Sequence, residues 1–169
     1  MEDSILISSM LNLTKFDNGT IEIHYQLFPI QDLAFRTILM FESRLEKRNI
    51  TLEGLDSEPV QVWGDPDLIG QVIYNLFENA TKFVNTGGTI TFTFKDEPNN
   101  TSIAIRNTGA GISKEELPKI FERFYKSDDS RSHDKTGLGI GLDITKHIVR
   151  LHKAQISVSS EEGEYTEFL

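Results

Sequence analysis

Gln71-Val72-Ile73-Tyr74-Asn75-Leu76-Phe77-Glu78-Asn79-Ala80-Thr81-Lys82-Phe83 reads as a helix. Asp65 is a good N-cap, and Pro66 takes the first helical position, where its missing N–H costs nothing. At roughly 100° per residue, Ile69, Val72, Ile73, Leu76, Ala80 and Phe83 share one arc, the face a core would take. Asn75, Asn79 and Lys82 fall at i, i+4 and i+7 and form a narrow stripe beside that arc. A lone Asn there would read as a solvated surface residue. Two amides and an ammonium group stacked where core meets solvent read instead as a candidate site.

Composition narrows what such a site can serve. The 169 residues suffice for one domain with a real core. No apolar run reaches the ~18 residues of a membrane span, and Met1-Glu2-Asp3 is acidic where a signal peptide is basic. Cysteine is absent, which excludes disulfides and thiolate metal sites and fits a reducing compartment. The formal charge of −9 argues against nucleic acid as a partner. An anionic ligand such as a nucleotide would need local positive charge and a divalent cation.

Working outward, residues 4–16 predict a helix with more apolar surface than a short free helix carries, ended by Asp17-Asn18-Gly19 with glycine as C-cap. Thr20 to Leu27 alternates like a strand. A helix follows from Pro29 to about Lys47, with Leu33, Ile38, Phe41 and Leu45 on its apolar face. Residues 50–52 and 60–63 predict short strands. Beyond the asparagine helix, Asn85-Thr86-Gly87-Gly88 is a turn, and strands 89–94 and 102–107 flank a hairpin loop. Ser113 and Glu116 form a capping box. Residues 126–135 are polar without periodicity and read as a mobile loop. A helix then runs to about His152, buried through Ile140, Ile144, Ile148 and Leu151. Residues 156–158 and 165–169 predict a last hairpin, and the chain stops inside its final strand, as a trimmed fragment would. Helices to one side of hairpin-rich strands predict a two-layer α/β sandwich, a mixed sheet covered on one face.

Gly137, Gly139 and Gly141 precede that last long helix. Glycines let backbone approach an anion closely, and a helix N-terminus offers free N–H groups and positive dipole. The alternative is a flexible hinge. No Gly-Lys-Ser/Thr follows, so this is not a mononucleotide P-loop, and the G-x-G-x-G spacing after a charged loop is not the dinucleotide fingerprint.

Four segments occur in order: Asn75-x-x-x-Asn79-x-x-Lys82-Phe83, Asn107-Thr108-Gly109-Ala110-Gly111-Ile112, Phe121-Glu122-Arg123-Phe124-Tyr125-Lys126 and Gly137-Leu138-Gly139-Ile140-Gly141-Leu142. Together they resemble the N, G1, F and G2 boxes of the ATP-binding catalytic domain of sensor histidine kinases, in the superfamily of gyrase, Hsp90 and MutL with its Bergerat-type fold. The resemblance covers about residues 20–169. The first helix resembles the end of the dimerisation and histidine-phosphotransfer hairpin, which divides the chain into residues 1–18 and 19–169.

The resemblance implies roles. Asn79 would ligate Mg²⁺ through its side-chain oxygen, within a shell of ATP phosphates and waters. Asn75 would support the phosphates or the metal shell, and Lys82 would contact phosphate. Asn107, Gly109 and Gly111 would form the adenine end. Tyr125 and Lys126 would reach the nucleotide from the base of an ATP lid at 126–136, and Gly137, Gly139 and Gly141 would hold the polyphosphate. Phe83, Ile112, Thr136, Leu138, Ile140 and Leu142 would complete the nucleotide contacts, with Asn75, Lys82 and Lys126 as candidate catalytic groups. Lys135 is either one more phosphate contact or a solvated loop charge.

ATPases of this superfamily place a glutamate base where Asn75 stands, and asparagine cannot act as a base. Glu78 falls about 60° to the other side of Asn75 from Asn79 and reads as surface. The site is therefore expected to pass the γ-phosphoryl to a positioned nucleophile, by placement and charge neutralisation. The family's nucleophile is a histidine on a separate helix. His24, His133, His147 and His152 all lack its Ser/Thr-x-x-His-Glu context, so the acceptor is expected upstream of Met1. The implied partners are ATP, the protein's own phosphoacceptor helix in a homodimer of the full protein, and the receiver domain of a response regulator. Neither nucleic acid nor membrane is expected to touch this fragment, which would be the cytoplasmic domain of a membrane-anchored bacterial sensor. The rivals are a nucleotide-sensing module without kinase activity, and a serine kinase or ATPase of the superfamily.

Two positions depart from the pattern. The G1 box usually starts with Asp, which accepts a hydrogen bond from the adenine amino group. Asn107 can accept through its carbonyl without charge assistance, a difference of about 1 kcal/mol or roughly fivefold in affinity. Its amide can also turn its NH₂ towards guanine O6. After the last helix, His152-Lys153-Ala154 stands where the family often has His-Gly-Gly, so a turn wanting φ > 0 lacks its glycine.

Overall fold

The computed structural model describes residues 18–126 and 139–169, with residues 11 and 14–16 before them. Residues 11 and 14–16 are helical, and the rest of the helix expected over 4–16 lies outside the described residues. Gly19 ends it at φ +63°, with the amides of Asn18, Gly19 and Thr20 turned back to the carbonyls of Thr14, Phe16 and Lys15. The expected C-cap is present.

Four strands and two helices come first: β1 (Gln26–Pro29), α1 (Ile30–Lys47), β2 (Thr51–Glu53), β3 (Gln61–Gly64), α2 (Pro66–Phe83) and β4 (Thr89–Glu97). Then follow β5 (Asn100–Thr108), a 3₁₀ turn at Leu117–Lys119, α3 (Gly141–Leu151), β6 (Val158–Glu161) and β7 (Tyr165–Phe168). The main sheet has the order β2-β4-β5-β7-β6. β2 lies parallel to β4 and every other pair is antiparallel. β1 and β3 form a separate two-stranded ribbon.

Strand alternation divides the sheet into two faces. Ile90, Phe92, Ile105 and Phe168 point inward and are buried with Ile73, Phe77 and Phe41 of the helices. Phe77, fully buried, joins the layers: its ring lies 5.4 Å from Phe41 on α1 and 5.5 Å from Phe92 on β4. The opposite face carries Thr91, Arg106 and Glu167 in one row. This is the expected two-layer α/β architecture.

Local details correct several expectations. The buried face of α1 is Ile30, Gln31, Ala34, Thr37, Phe41 and Leu45, and the expected Leu33 and Ile38 pack against that core half-buried. The strand expected from Thr20 pairs only from Gln26. Ile21 and Ile23 do turn inward, against a second apolar cluster of Leu68, Ile140, Ile144 and Ile148. The four-residue β3 ends at Gly64, so residues before Gln26 have no strand to pair with. The strand expected at 156–158 is shifted to Val158–Glu161, set by a hairpin that pairs Glu161 with Tyr165 and Val158 with Phe168.

Asp65 does more than cap α2. Its Oδ1 accepts the amides of Asp67 (3.0 Å) and Leu68 (3.1 Å), and its Oδ2 accepts the amide of His24 (2.8 Å). Its own amide donates to Nε2 of His152 (3.1 Å), whose Nδ1 faces the carbonyl of Ile148 (2.8 Å). His152 is thus structural, as expected. At the other end of α2, Arg48 donates to the carbonyls of Thr81 and Val84, which have no partner within the helix.

Candidate functional site

α2 packs against α1, α3 and β5, and it carries Asn75, Asn79, Lys82 and Phe83 of the predicted site. Asn75 differs from expectation. It is buried, 8% exposed, and not on a solvent shoulder. Its Nδ2 donates to the carbonyl of Gly141 (3.0 Å) and to Oγ1 of Thr145 (3.3 Å), tying α2 to the start of α3. A Cβ on Gly141 would sit 3.6 Å from Cγ of Asn75, in contact but without overlap. With the NH₂ committed to α3, Oδ1 remains as the acceptor.

Asn79 is half-buried one turn further along. Glu78 also corrects its expectation as a surface residue: it is partly buried and pairs with Lys82 at 3.3 Å. Glu at i and Lys at i+4 is the favourable order on a helix. The predicted phosphate-contacting ammonium therefore has a carboxylate beside it. Phe83 ends α2, and Val84 forms an antiparallel bridge with Gly109.

That bridge brings the 107–112 segment against the end of α2. Gly109 has φ +149°, and a Cβ there would overlap the carbonyl oxygen of Phe83. Gly111 has φ +71°, and its Cβ would overlap the carbonyl oxygen of Glu161. Both glycines answer a close backbone approach. Ile112 is held through its amide by Oγ of Ser160 (2.8 Å). Asn107, 3% exposed, faces inward on β5 between Ile90 and Thr166. Its Nδ2 donates to the carbonyl of Thr108 (3.0 Å). Thr166 is buried beside it, with Oγ1 3.1 Å from Oγ of Ser160.

The third segment closes on the fourth. The amide of Phe124 donates to the carbonyl of Gly139 (2.9 Å). Gly139 has φ +68°, and a Cβ there would lie 2.8 Å from the carbonyl oxygen of Tyr125. The Tyr125 hydroxyl points to Glu116 (3.4 Å), and Lys126 is half-buried at the stem's end. Of the expected capping box one half is present: the Glu116 amide donates to Oγ of Ser113 (3.3 Å), while the second bond joins the side chains, Oγ of Ser113 to Oε2 of Glu116 (3.2 Å). Ile140 is buried in the second cluster and Leu142 packs on the main core. The lid, with Lys135, Thr136, Gly137 and Leu138, lies outside the described residues.

At the start of α3 the Ile140 N-cap supplies no side-chain hydrogen bond. The first bond back along the helix is from Ile144 to Ile140 (2.9 Å). The amides of Gly141 to Asp143 therefore lack helical partners and form a favourable anion environment. No group of three or more His, Cys, Asp or Glu side chains able to hold a metal occurs among the described residues. A cation here would draw most of its ligands from its anion and from water, as Mg²⁺ commonly does.

Residues 64–169 match the sequence pattern of the family described as histidine kinase-, DNA gyrase B-, and HSP90-like ATPase. The chain belongs to this ATPase family. Among curated relatives, the sensor histidine kinase CusS of Escherichia coli is 33% identical over 156 residues, 92% of this chain and 32% of CusS. The chain spans less than a third of the length of the curated relatives it matches. Among solved structures, the catalytic domain of histidine kinase ThkA superposes with a TM-score of 0.72 at 27% identity, over 86% of this chain and 93% of that one. ThkA in complex with the response regulator protein TrrA gives 0.74 at 24% identity, over 99% of this chain and 47% of that one, a likeness of fold.

Within this ATPase fold, Thr145 and Thr166 join the site without having been anticipated. Thr166 had a signal: it alternates with Phe168 and so takes an inward position on β7. Thr145 had only its spacing of four from Gly141.

Proposed function

We propose that this chain is the ATP-binding catalytic part of a two-component sensor histidine kinase, with residues 19–169 as the catalytic domain and residues 1–18 as the end of the phosphotransfer hairpin. The observation that carries the reading is the meeting of Asn75 on α2, one turn before Asn79, with the start of α3. One end of a nucleotide would lie there, and Asn107 would meet the other.

The triphosphate would take the free amides of α3 and Lys82, which would exchange Glu78 for phosphate. Asn79 Oδ1 fits one ligand position of a Mg²⁺ ion held mainly by phosphate oxygens and water; that ion would neutralise charge on the transferring group. At the base end, one N–H of the Asn107 amide donates to Thr108 and orients the group, leaving Oδ1 as its acceptor. An acceptor suits the adenine amino group and opposes guanine O6, which supports ATP over GTP.

Asn75 cannot take a proton from water, because an amide is no base and its NH₂ is held by Gly141 and Thr145. With an amide where the superfamily's ATPases place their base, the site suits transfer to a positioned nucleophile more than hydrolysis. That nucleophile would be a histidine on a helix upstream, contributed within a homodimer. The phosphoryl group would pass on to a response regulator, the class of partner named for ThkA. The membrane anchor would also lie upstream, leaving this part in the cytoplasm.

Titration calorimetry with a non-hydrolysable ATP analogue, with and without Mg²⁺ and against its GTP counterpart, tests the site. Magnesium-dependent binding that favours adenine is expected; no binding of either nucleotide would refute the reading. Adding the upstream helices and assaying acid-labile phosphate separates a histidine kinase from a serine kinase or a binding module.

A further inference from the structure

Asp143 stands in the first turn of α3, 8% exposed, at the end assigned above to phosphate. A carboxylate there favours the helix dipole but opposes an incoming polyanion. Arg123, from the segment on the other side of residues 127–138, meets it: Nε lies 2.8 Å from Oδ2. His147 lies on the same carboxylate, with Nδ1 3.4 Å from Oδ1, and its ring packs 5.7 Å from Phe16. One residue after Arg123, the amide of Phe124 donates to the carbonyl of Gly139. The stems at 123–126 and 139–143 are therefore held by a backbone bond and an ion pair side by side.

We infer that Arg123 is a positioning residue that, held against Asp143, cancels its charge so that this helix end can receive phosphate. The inference rests on the nucleotide reading above. Arg123 acts through Asp143, so its loss should matter only while Asp143 is present.

The test is a double-mutant cycle on the Kd for an ATP analogue with Mg²⁺, using R123A, D143A and R123A/D143A. R123A leaves the carboxylate without its guanidinium and is expected to weaken binding roughly tenfold, the size of one charge-assisted hydrogen bond. D143A and the double variant should both stay within about threefold of the parent. A double variant as weak as R123A, or weaker, would overturn the inference, because Arg123 would then act independently of Asp143. Hydrogen exchange in the nucleotide-free protein supplies a second readout. The Phe124 amide should exchange roughly tenfold faster in both R123A and D143N, and unchanged exchange in both would also overturn the inference. If the parent protein binds no nucleotide, the functional reading fails, while the exchange measurement still decides whether the pair holds the stems.

Discussion

Replacing Asn107 with Asp restores the residue the G1 box usually carries, yet the structure predicts that it is not simply an improvement. The present amide donates to the carbonyl of Thr108 at 3.0 Å and is 3% exposed. In N107D that donor becomes a carboxylate oxygen facing a carbonyl oxygen. The Thr108 bond is lost, worth about 1 kcal/mol, and a charge is buried with no cation beside it among the described residues, adding about 1–3 kcal/mol. Unfolding entropy of about 2.1 cal/mol/K per residue makes each kcal/mol worth about 3 °C for 169 residues. N107D should therefore melt about 6–12 °C below the parent without nucleotide. Binding moves the other way: a charged acceptor for the adenine amino group gains about 1 kcal/mol, or roughly fivefold in Kd. Thermal melting with and without saturating ATP analogue reads both effects, and calorimetry gives the Kd. If N107D melts with the parent and binds the analogue equally, the amide does not serve Thr108 and the reasoning fails. A parent protein that prefers GTP would mean that the amide points the opposite way.

Other substitutions probe the scaffold and the cation. Asn79→Ala should remove the magnesium dependence of analogue binding, weakening it at least roughly tenfold in Mg²⁺ with little change in EDTA; an unaltered magnesium response in calorimetry would count against Asn79 as a ligand. Phe77→Ala empties the contact between α1, α2 and β4 and should cost about 3–5 kcal/mol in urea unfolding, whereas a loss below about 1 kcal/mol would mean that the layers close over the gap. Lys153 holds φ +54° where glycine would be at ease, so Lys153→Gly should stabilise by about 1 kcal/mol and raise the melting temperature by roughly 3 °C; a lower melting temperature would show that the lysine side chain contributes something the backbone does not reveal.

The sequence carried most of the architecture because periodicity and caps agree along α2, the β4–β5 hairpin and α3. It misjudged depth. Asn75 was expected at the edge of the core because the helical arc was drawn for one packing partner. α2 has three, the sheet, α1 and α3, so burial extends around it to Phe77, Thr81 and Asn75. No local rule shows that Thr145, seventy residues away, is the hydroxyl that Asn75 meets. The Glu78–Lys82 pair is legible from i, i+4 spacing, whereas helical angle alone gives the direction of Glu78 and not its reach. Alternation at 20–25 gave the right inward residues, Ile21 and Ile23, but periodicity cannot say whether a neighbouring strand is long enough to pair.

Asp65 also has a consequence for the order in which the chain folds. Its carboxylate and amide bind residues 41 and 87 positions away. The cap on α2 can form early, since it closes a loop of three residues, but the bonds to His24 and His152 require long loops to be closed first. Contacts made after the rate-limiting step govern how quickly a protein comes apart. In a chevron experiment, Asp65→Ser keeps a capping oxygen and the backbone bond to His152, and gives up the distant bond from His24. Its refolding arm should overlay that of the parent, while its unfolding arm rises several-fold. A slowed refolding arm would place this three-way junction inside the folding nucleus.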